Sequence, residues 1–185
     1  QAALLSCDNL DLYATRLRDG ALDLAARTPD AEWAAQLLVA ARSLERVPSQ
    51  PARTFREALQ AYWLAYILAT IEMGGCCPGG GLGLGRPDQY LYPYYEADLR
   101  EGRLTRAEAL EMVEVWLLNF RPVDYYTPHA VFTPGSQASI GGVTPTGADA
   151  SNDLTELIME ASLRIQMPTP YISLRLHRDA PERFW

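Results

Sequence analysis

Residues 55–73 constrain the fold more than any other stretch, because the helix they predict is apolar on nearly every face. Thr54 and Glu57 open this helix as a capping box, in which the hydroxyl accepts a backbone N–H and the carboxylate reaches back to the cap. A helix of this kind is buried on all sides. In 185 residues few other segments remain to surround it, so we expect further polypeptide to cover it.

Helical spacing and capping residues also predict helices over 2–27, 29–47, 87–99, 105–120 and 152–166, with a further helix starting near 180. For the second of these helices we expect Thr28 as cap, Pro29 at the first position, and an inward face made of Trp33, Leu37, Leu38, Ala41 and Leu44. Residues 138–143 and 171–177 predict short strands. No regular alternation of strand and helix is present, so we expect a mainly α fold with a few β-strands.

The charge excludes some partners. The formal net charge is -7 and no basic stripe is present, which argues against binding nucleic acid or an anionic membrane surface. No apolar run approaches the length of a transmembrane helix, and the first residues lack the charged region of a signal peptide. We therefore expect a soluble, cytoplasmic protein. Both ends fall within predicted helices, so we expect residues 1–185 to be a single partial domain truncated at both ends.

All 16 basic residues are arginine. The absence of lysine excludes a P-loop lysine and the lysine that would bind pyridoxal phosphate within this chain. The three cysteines, Cys7, Cys76 and Cys77, fit neither a disulfide framework nor the CxxC spacing of a zinc site. We therefore expect no metal ion and no cofactor bound by this chain.

A glycine-dense loop covers residues 74–86. It does not match a phosphate-binding loop, since it follows a helix, contains no GxGxxG pattern and has no lysine. It can be a flexible connector, or it can line a pocket, because glycine lets the backbone approach a ligand closely. The adjacent Cys76 and Cys77 within it can form a redox or radical site or can be two small packed residues. The residues alone favour the second interpretation, since Arg86 is the one cation nearby in sequence.

The other titratable residues do not indicate an acid–base pair. Asp88 lies at a predicted helix start, where its charge complements the helix dipole. Glu96 and Asp98 are two residues apart and point to different faces. We expect His129 to be a hydrogen-bonded loop residue and His177 to face solvent. Composition and spacing therefore predict a mainly helical piece of a protein, and they do not predict its function.

Several stretches, in one order and spacing, resemble the glycyl radical enzymes of the pyruvate formate-lyase-like superfamily, in the branch of the diol dehydratases, choline trimethylamine-lyase and arylacetate decarboxylases. The most specific stretch is GRPDQYLYPYYEADL at 85–99. The resemblance implies that the chain is a partial segment of a ten-stranded α/β barrel wrapped in helices. The other matching stretches are RTFREALQ at 53–60, GRLT at 102–105, GGV at 141–143, GADASNDLT at 147–155 and PYISLRLH at 170–177.

The chemistry that the resemblance implies begins with a backbone glycyl radical, installed by an S-adenosylmethionine-dependent activase. That radical takes hydrogen from a cysteine, and the resulting thiyl radical attacks a small organic substrate. The cysteine and glycine loops of the family lie downstream of the matched segment, and neither motif occurs here. We therefore expect no catalytic residue in this chain and no turnover by it alone. Its implied partners are the rest of the parent polypeptide, the activase and a second copy in a homodimer. An inactive scaffold and one half of a split enzyme are the alternatives.

One position of the family carries a prediction about substrate binding. Dehydratase members have a His-Ser pair that contacts substrate just before the GRxDQY stretch, and Cys76 and Cys77 stand in its place here. The resemblance therefore implies that Cys76 and Cys77, together with Gly75, line the substrate pocket without supplying the thiyl radical. The replacement argues against glycerol-like or choline-like substrates.

Overall fold

The computed structural model describes residues 2–72, 82–125 and 135–185. Contacts between residues divide the chain into two compact units, Gln1–Ala69 and Thr70–Trp185. The first unit is helical and the second combines helices with a small sheet. The predictions for Gly75, Cys76, Cys77 and His129 fall outside the described residues.

Three helices build the first unit: α1 (Ala2–Arg27), α2 (Ala31–Leu44) and α3 (Phe55–Glu72), of which the last three residues belong to the second unit. Its core joins Ala14 of α1, Leu44 of α2 and Leu64 of α3, and Leu10 packs against this cluster. Each of these side chains comes from a predicted helix, so the helical spacing in the sequence located the elements correctly.

The predicted cap of α2 is wrong. Asp30 is the N-cap, and its carboxylate accepts the backbone N–H groups of Glu32 at 2.9 Å and Trp33 at 3.1 Å. Thr28 instead donates its hydroxyl to the carbonyl of Leu24 at 2.8 Å and so belongs to the end of α1. The physical reason is that aspartate is a strong N-cap and can satisfy two of the unpaired N–H groups of the first turn.

The predicted inward face of α2 is correct only at its end. Ala41 and Leu44 are buried, and Leu37 is half-buried. Trp33 and Leu38 are 48% and 38% exposed, which contradicts the prediction for both side chains. Some apolar side chains of α2 are therefore not fully covered by other residues in the described chain.

The all-round apolar helix α3 is covered on part of its surface. Phe55, Leu59 and Leu64 are buried, whereas Ala65 is exposed and Ile71 is 61% exposed. Periodicity alone identifies such a helix, but it does not indicate which of its faces are covered within a given stretch of chain.

Glu57 holds the start of α3. Thr54 Oγ1 accepts the Glu57 N–H at 3.2 Å, as the capping box predicts. The Glu57 carboxylate reaches one residue further back than predicted, accepting the Arg53 backbone N–H at 2.7 Å and the Arg53 side chain at 3.1 Å. Arg46 lies 3.8 Å from the same carboxylate. Burial raises the pKa of Glu57, but the hydrogen bonds from Arg53 and the charges of Arg53 and Arg46 outweigh it, so that the pKa is lowered.

A lowered pKa in the folded state predicts an acid-sensitive contribution from Glu57. The contribution is complete above the pKa of the unfolded chain and is lost as the pH falls through the lower pKa of the folded state. We expect Glu57→Gln to lower the free energy of local opening at residues 53–60 by about 1–2 kcal/mol at pH 7. The difference from wild type should vanish in strong acid. Amide hydrogen exchange of the full-length protein measures this, with the exposed Glu45→Gln as control. A difference independent of pH would contradict the account.

In its described residues, the second unit contains a sheet of three parallel strands, β1 (Gly83–Gly85), β2 (Gln137–Gly141) and β3 (Tyr171–Arg175), in the order β1-β2-β3. β2 and β3 pair in register from Gln137↔Tyr171 to Gly141↔Arg175. β1 is short and bulged against β2, since Gly83 pairs with Gln137 and Gly85 with Ala138. The elements in chain order are β1 (Gly83–Gly85), α4 (Pro87–Tyr90), α5 (Tyr92–Arg100), α6 (Arg106–Tyr125), β2 (Gln137–Gly141), α7 (Asp153–Ile165), β3 (Tyr171–Arg175) and a 3₁₀ turn (Glu182–Phe184).

Helices between the strands provide the crossovers that parallel pairing requires. The middle strand is buried through Ala138 and Ile140, and α6 packs on α7. The largest fully buried side chains of these two helices are Val113, Leu117, Phe120, Leu154, Leu157 and Ile158. The mainly α fold with a few strands that the sequence predicts is therefore confirmed.

Short sequence signals correctly predicted where several helices begin or end. Gly102 ends α5 with φ +68° and donates its N–H to the carbonyl of Leu99 at 3.1 Å, as a glycine after a helix should. The predicted capping box before α6 is present, with Glu108 accepting the Thr105 N–H at 2.8 Å.

The single helix predicted over 87–99 is instead two helices that meet at Leu91. Pro93 accounts for the break, since it has no N–H to continue the ladder. The helix predicted near 180 is a single 3₁₀ turn.

Candidate functional site

Several hydrogen-bonded polar side chains of the second unit lie at the carboxyl ends of the parallel strands. In parallel α/β sheets this edge is where ligands bind and where functional residues gather. Residues 85–90, Gly-Arg-Pro-Asp-Gln-Tyr, begin with the last residue of β1 at this edge and are called here the GRPDQY segment. The short and bulged β1 offers few ladder hydrogen bonds, so side chains of this segment hold the strand end in place.

Arg86 joins β1 to the end of β2. Its Nη1 donates to the carbonyl of Val143 at 3.0 Å, and its Nη2 donates to the carbonyl of Gly141. Arg86 forms no ion pair with any carboxylate in the described ranges 2–72, 82–125 and 135–185. Its guanidinium group therefore serves as a donor to two backbone carbonyls beyond β2.

Asp88 is the centre of the site. It is 0% exposed, and its Oδ2 accepts the Gly141 N–H at 2.7 Å, the Thr155 hydroxyl at 2.7 Å and the Gln89 side-chain amide at 2.9 Å. Hydrogen bonds to an ionised group are stronger than those between neutral groups. One buried carboxylate thus ties α4 to the end of β2 and to the start of α7.

The backbone of Asp88 fixes α7 as well. Asn152 Nδ2 donates to the Asp88 carbonyl at 2.8 Å, while Asn152 Oδ1 accepts the Thr155 N–H at 3.0 Å. Thr155 Oγ1 returns the bond by accepting the Asn152 N–H at 3.0 Å, which completes a capping box. The helix start that the sequence predicts at 151–152 is therefore confirmed, and it is anchored to the GRPDQY segment.

Gly141 lies where these contacts meet. Its φ is +68°, and a Cβ at this position would stand 2.7 Å from the carbonyl oxygen of Arg175 on β3. The next residue, Gly142, has φ +85° and donates its N–H to the same oxygen at 2.6 Å. Both the conformation and the close approach of β3 require a residue without a side chain at 141.

Two further bonds complete the arrangement. Tyr90 Oη donates to the carbonyl of Leu84 in β1 at 2.7 Å. Gln89 Nε2 also donates to the carbonyl of Ala150 at 2.8 Å. We call Arg86, Asp88, Gly141 and Thr155 the strand-end clamp. Because Asp88 is fully buried and accepts three hydrogen bonds, the clamp positions the strand ends.

Sequence reasoning missed the role of Asp88, which it attributed to the helix dipole. The partners of Asp88 lie 53 and 67 residues away, at Gly141 and Thr155. No local spacing encodes contacts of that range. The one sequence signal that could have indicated this role is the GRPDQY segment, since it is the most specific part of the family resemblance.

The other carboxylates have separate partners, as predicted. Asp98 is buried and accepts from Arg103 Nε at 2.8 Å, whereas Glu96 accepts from Tyr92 Oη at 3.2 Å. Burial raises the pKa of Tyr92, and the bond to Glu96 raises it further. The prediction that His177 faces solvent is wrong, since its side chain is only 16% exposed. Its Nδ1 accepts the Asp179 N–H at 3.2 Å, which draws the ring against the loop.

The predicted substrate-binding residues Gly75, Cys76 and Cys77 lie outside the described residues, so their role stays a prediction. Within the described ranges, no three His, Cys, Asp or Glu side chains come together as a metal site would need. No helix in the described part of the chain is long and apolar enough to span a membrane.

Comparison with known proteins gives matches over the whole chain. The pyruvate formate lyase-like family profile matches residues 1–185. Isethionate sulfite-lyase of Nitratidesulfovibrio vulgaris is 37% identical over 191 residues, which cover 100% of this chain and 23% of that protein. Indoleacetate decarboxylase of Tractidigestivibacter scatoligenes is 35% identical over 182 residues, covering 95% of this chain and 20% of that protein.

Solved structures agree with these matches. A structure from work on 1,2-propanediol dehydration in Roseburia inulinivorans is 33% identical with a TM-score of 0.85, over 97% of this chain and 23% of the other. The glycerol-bound B12-independent glycerol dehydratase of Clostridium butyricum is 27% identical with a TM-score of 0.83, over 96% of this chain and 22% of the other. The chain thus spans less than a quarter of the length of these similar proteins.

Proposed function

The chain belongs to the pyruvate formate lyase-like family, and from this membership we propose that it is one segment of a glycyl radical lyase or dehydratase acting on a small organic substrate. The predicted fold class is confirmed, because the similar structures are glycyl radical enzyme barrels of which this chain matches one part. The observation that carries the proposal is the match of the family profile to residues 1–185, together with matches over 95–100% of the chain to a lyase, a decarboxylase and a dehydratase.

The reacting groups of the parent protein lie outside this segment in the proposal. The parent carries a glycyl radical installed by an S-adenosylmethionine-dependent activase, and its thiyl cysteine follows the segment in sequence. The segment supplies helices and strands of the barrel and does not turn over substrate alone. Residues 1–185 form a single partial domain with the rest of the polypeptide, and the parent is a cytoplasmic homodimer.

Within this function the strand-end clamp has a positioning role. Asp88 and Arg86 fix the carboxyl ends of β1 and β2 through Gly141, and Asn152 and Thr155 fix the following helix to the same point. A radical enzyme must hold its reacting atoms in a defined geometry, since small displacements reduce rates strongly. Rigid strand ends serve that requirement.

Activity of the full-length protein tests the proposed function. The protein is incubated without oxygen with its activase and S-adenosylmethionine. It is then given isethionate, indoleacetate or 1,2-propanediol, the compounds that appear in the names of the similar proteins. Turnover of one compound, and none by the 185-residue chain alone, supports the proposal. Turnover by the isolated chain would contradict the assignment of the reacting groups to the remaining polypeptide.

For the substrate pocket we propose that Cys76, Cys77 and Gly75 contact the substrate without forming the thiyl radical. We expect the double variant Cys76→Ser, Cys77→Ser in the full-length enzyme to raise KM by about three- to tenfold, since a lost pocket contact is worth about 1 kcal/mol. Cys7→Ser, on the exposed surface of α1, is the control and should leave KM unchanged. Unchanged kinetics in the double variant would exclude a pocket role, and complete loss of activity would instead favour the thiyl role.

A further inference from the structure

Two buried polar atoms of the strand-end clamp have no hydrogen-bond partner within the described ranges. They are Nε of Arg86, a donor, and Oδ1 of Asp88, an acceptor. Buried polar groups in folded proteins are nearly always paired with protein or with ordered water. Two such atoms, of complementary kind and only two residues apart, therefore indicate a missing partner rather than two unrelated defects.

Both side chains converge on one residue. Arg86 Nη2 donates to the Gly141 carbonyl, and Asp88 Oδ2 accepts the Gly141 N–H at 2.7 Å. Nε shares its guanidinium carbon with Nη2, and Oδ1 shares its carboxylate carbon with Oδ2. The unpaired atoms thus belong to groups already fixed at the same strand end. The two atoms do not hydrogen-bond to each other, although they belong to side chains of opposite charge.

The two atoms define the chemistry of the partner. It must accept a hydrogen bond from Nε and donate one to Oδ1. The oxygen of a hydroxyl group, including that of water, does both through one atom, whereas an amide needs two separate atoms, a carboxylate only accepts and an ammonium only donates. The charges of the two side chains favour a neutral partner, because Asp88 repels an anion and Arg86 repels a cation. We propose that Arg86 Nε and Asp88 Oδ1 form a binding site for a neutral hydroxyl group at the carboxyl ends of β1 and β2.

Three sources can provide that oxygen: an ordered water, a hydroxyl side chain from the remaining polypeptide, or a small alcohol. Buried waters commonly bridge polar groups that would otherwise be unpaired. The site depends only on the fold of this segment, so it does not rest on the proposed radical chemistry, and the two can fail separately.

A high-resolution crystal structure of the full-length protein, grown and frozen without polyols, tests the site directly. We expect one oxygen within about 2.7–3.2 Å of both Arg86 Nε and Asp88 Oδ1. A water there, or the hydroxyl of a serine, threonine or tyrosine, supports the proposal and identifies the source. A water that is replaced by 1,2-propanediol on soaking shows that the site accepts a small alcohol. A direct ion pair between the two side chains, or any group other than a hydroxyl, overturns the proposal.

Asp88→Asn provides a second measurement, because it can place an amide donor where the hydroxyl needs an acceptor. We expect the bridging oxygen to disappear from the structure of this variant. Asp98→Asn, at a buried aspartate that pairs with Arg103, should keep the oxygen. An oxygen that is retained in Asp88→Asn and donates its hydrogen to another residue would contradict the assignment of Oδ1 as its acceptor. If Asp88→Asn does not fold, the wild-type structure decides alone.

Discussion

Replacing Asp88 by alanine is expected to lower the free energy of local opening around Gly141 by about 3–5 kcal/mol. The carboxylate accepts three hydrogen bonds in a fully buried position. Its loss leaves the Gly141 N–H without this acceptor and leaves the Thr155 hydroxyl with only the longer bond to Asn152 Oδ1 at 3.4 Å. Amide hydrogen exchange in the full-length protein, followed in peptides covering 135–160, measures this quantity. The protection of Gly141 should fall by roughly a hundredfold or more.

Asp153→Ala is the matched control for this variant. Asp153 lies at the start of α7, two residues before Thr155, but it is exposed and forms a surface ion pair with Arg183 at 3.4 Å. Its replacement should cost at most about 1 kcal/mol. Equal effects of the two variants would mean that the buried network around Asp88 does not stabilise the strand end, and the account of the clamp would be wrong.

The second large effect is expected from Gly141→Ala. The left-handed backbone at φ +68° costs an alanine about 1–2 kcal/mol. The new Cβ would also stand 2.7 Å from the carbonyl oxygen of Arg175, so β3 must move. Overpacking of this kind adds about 1–3 kcal/mol. We therefore expect protection to be lost in both β2 and β3, as measured by hydrogen exchange in the full-length protein.

Gly147→Ala separates the two causes. Gly147 has a similar φ of +84°, but no atom lies within 4 Å of a Cβ at that position. It should show only the conformational cost of about 1–2 kcal/mol, and β3 should keep its protection. If Gly141→Ala were no worse than Gly147→Ala, the close approach of β3 to Gly141 would not constrain the strand end.

The parts of the fold that the sequence predicts are those that depend on near neighbours. The predicted capping box at Thr105–Glu108 and the predicted cap of α7 depend on residues three positions apart, and helical spacing located α1 and α3. The sequence also contains the cause of the split in the helix predicted over 87–99, because Pro93 lies inside that range.

The parts that the sequence does not predict depend on distant partners. Asp88 bonds to Gly141 and Thr155 across 53 and 67 residues, and the sequence offers no spacing rule for such pairs. Trp33 and Leu38 were expected to face inward because they are apolar, yet they are exposed in this chain. Apolar character shows that a side chain favours burial, but the presence of a covering element decides whether burial occurs.

The proposal that this chain is a segment of a glycyl radical enzyme is tested most directly by electron paramagnetic resonance. The full-length protein is incubated without oxygen with its activase and S-adenosylmethionine, and the spectrum is recorded before any substrate is added. The account predicts the doublet of a glycyl radical. Absence of that doublet, with an activase shown to be competent on a control enzyme, would contradict it and leave the segment as the relic of a radical enzyme in an inactive protein.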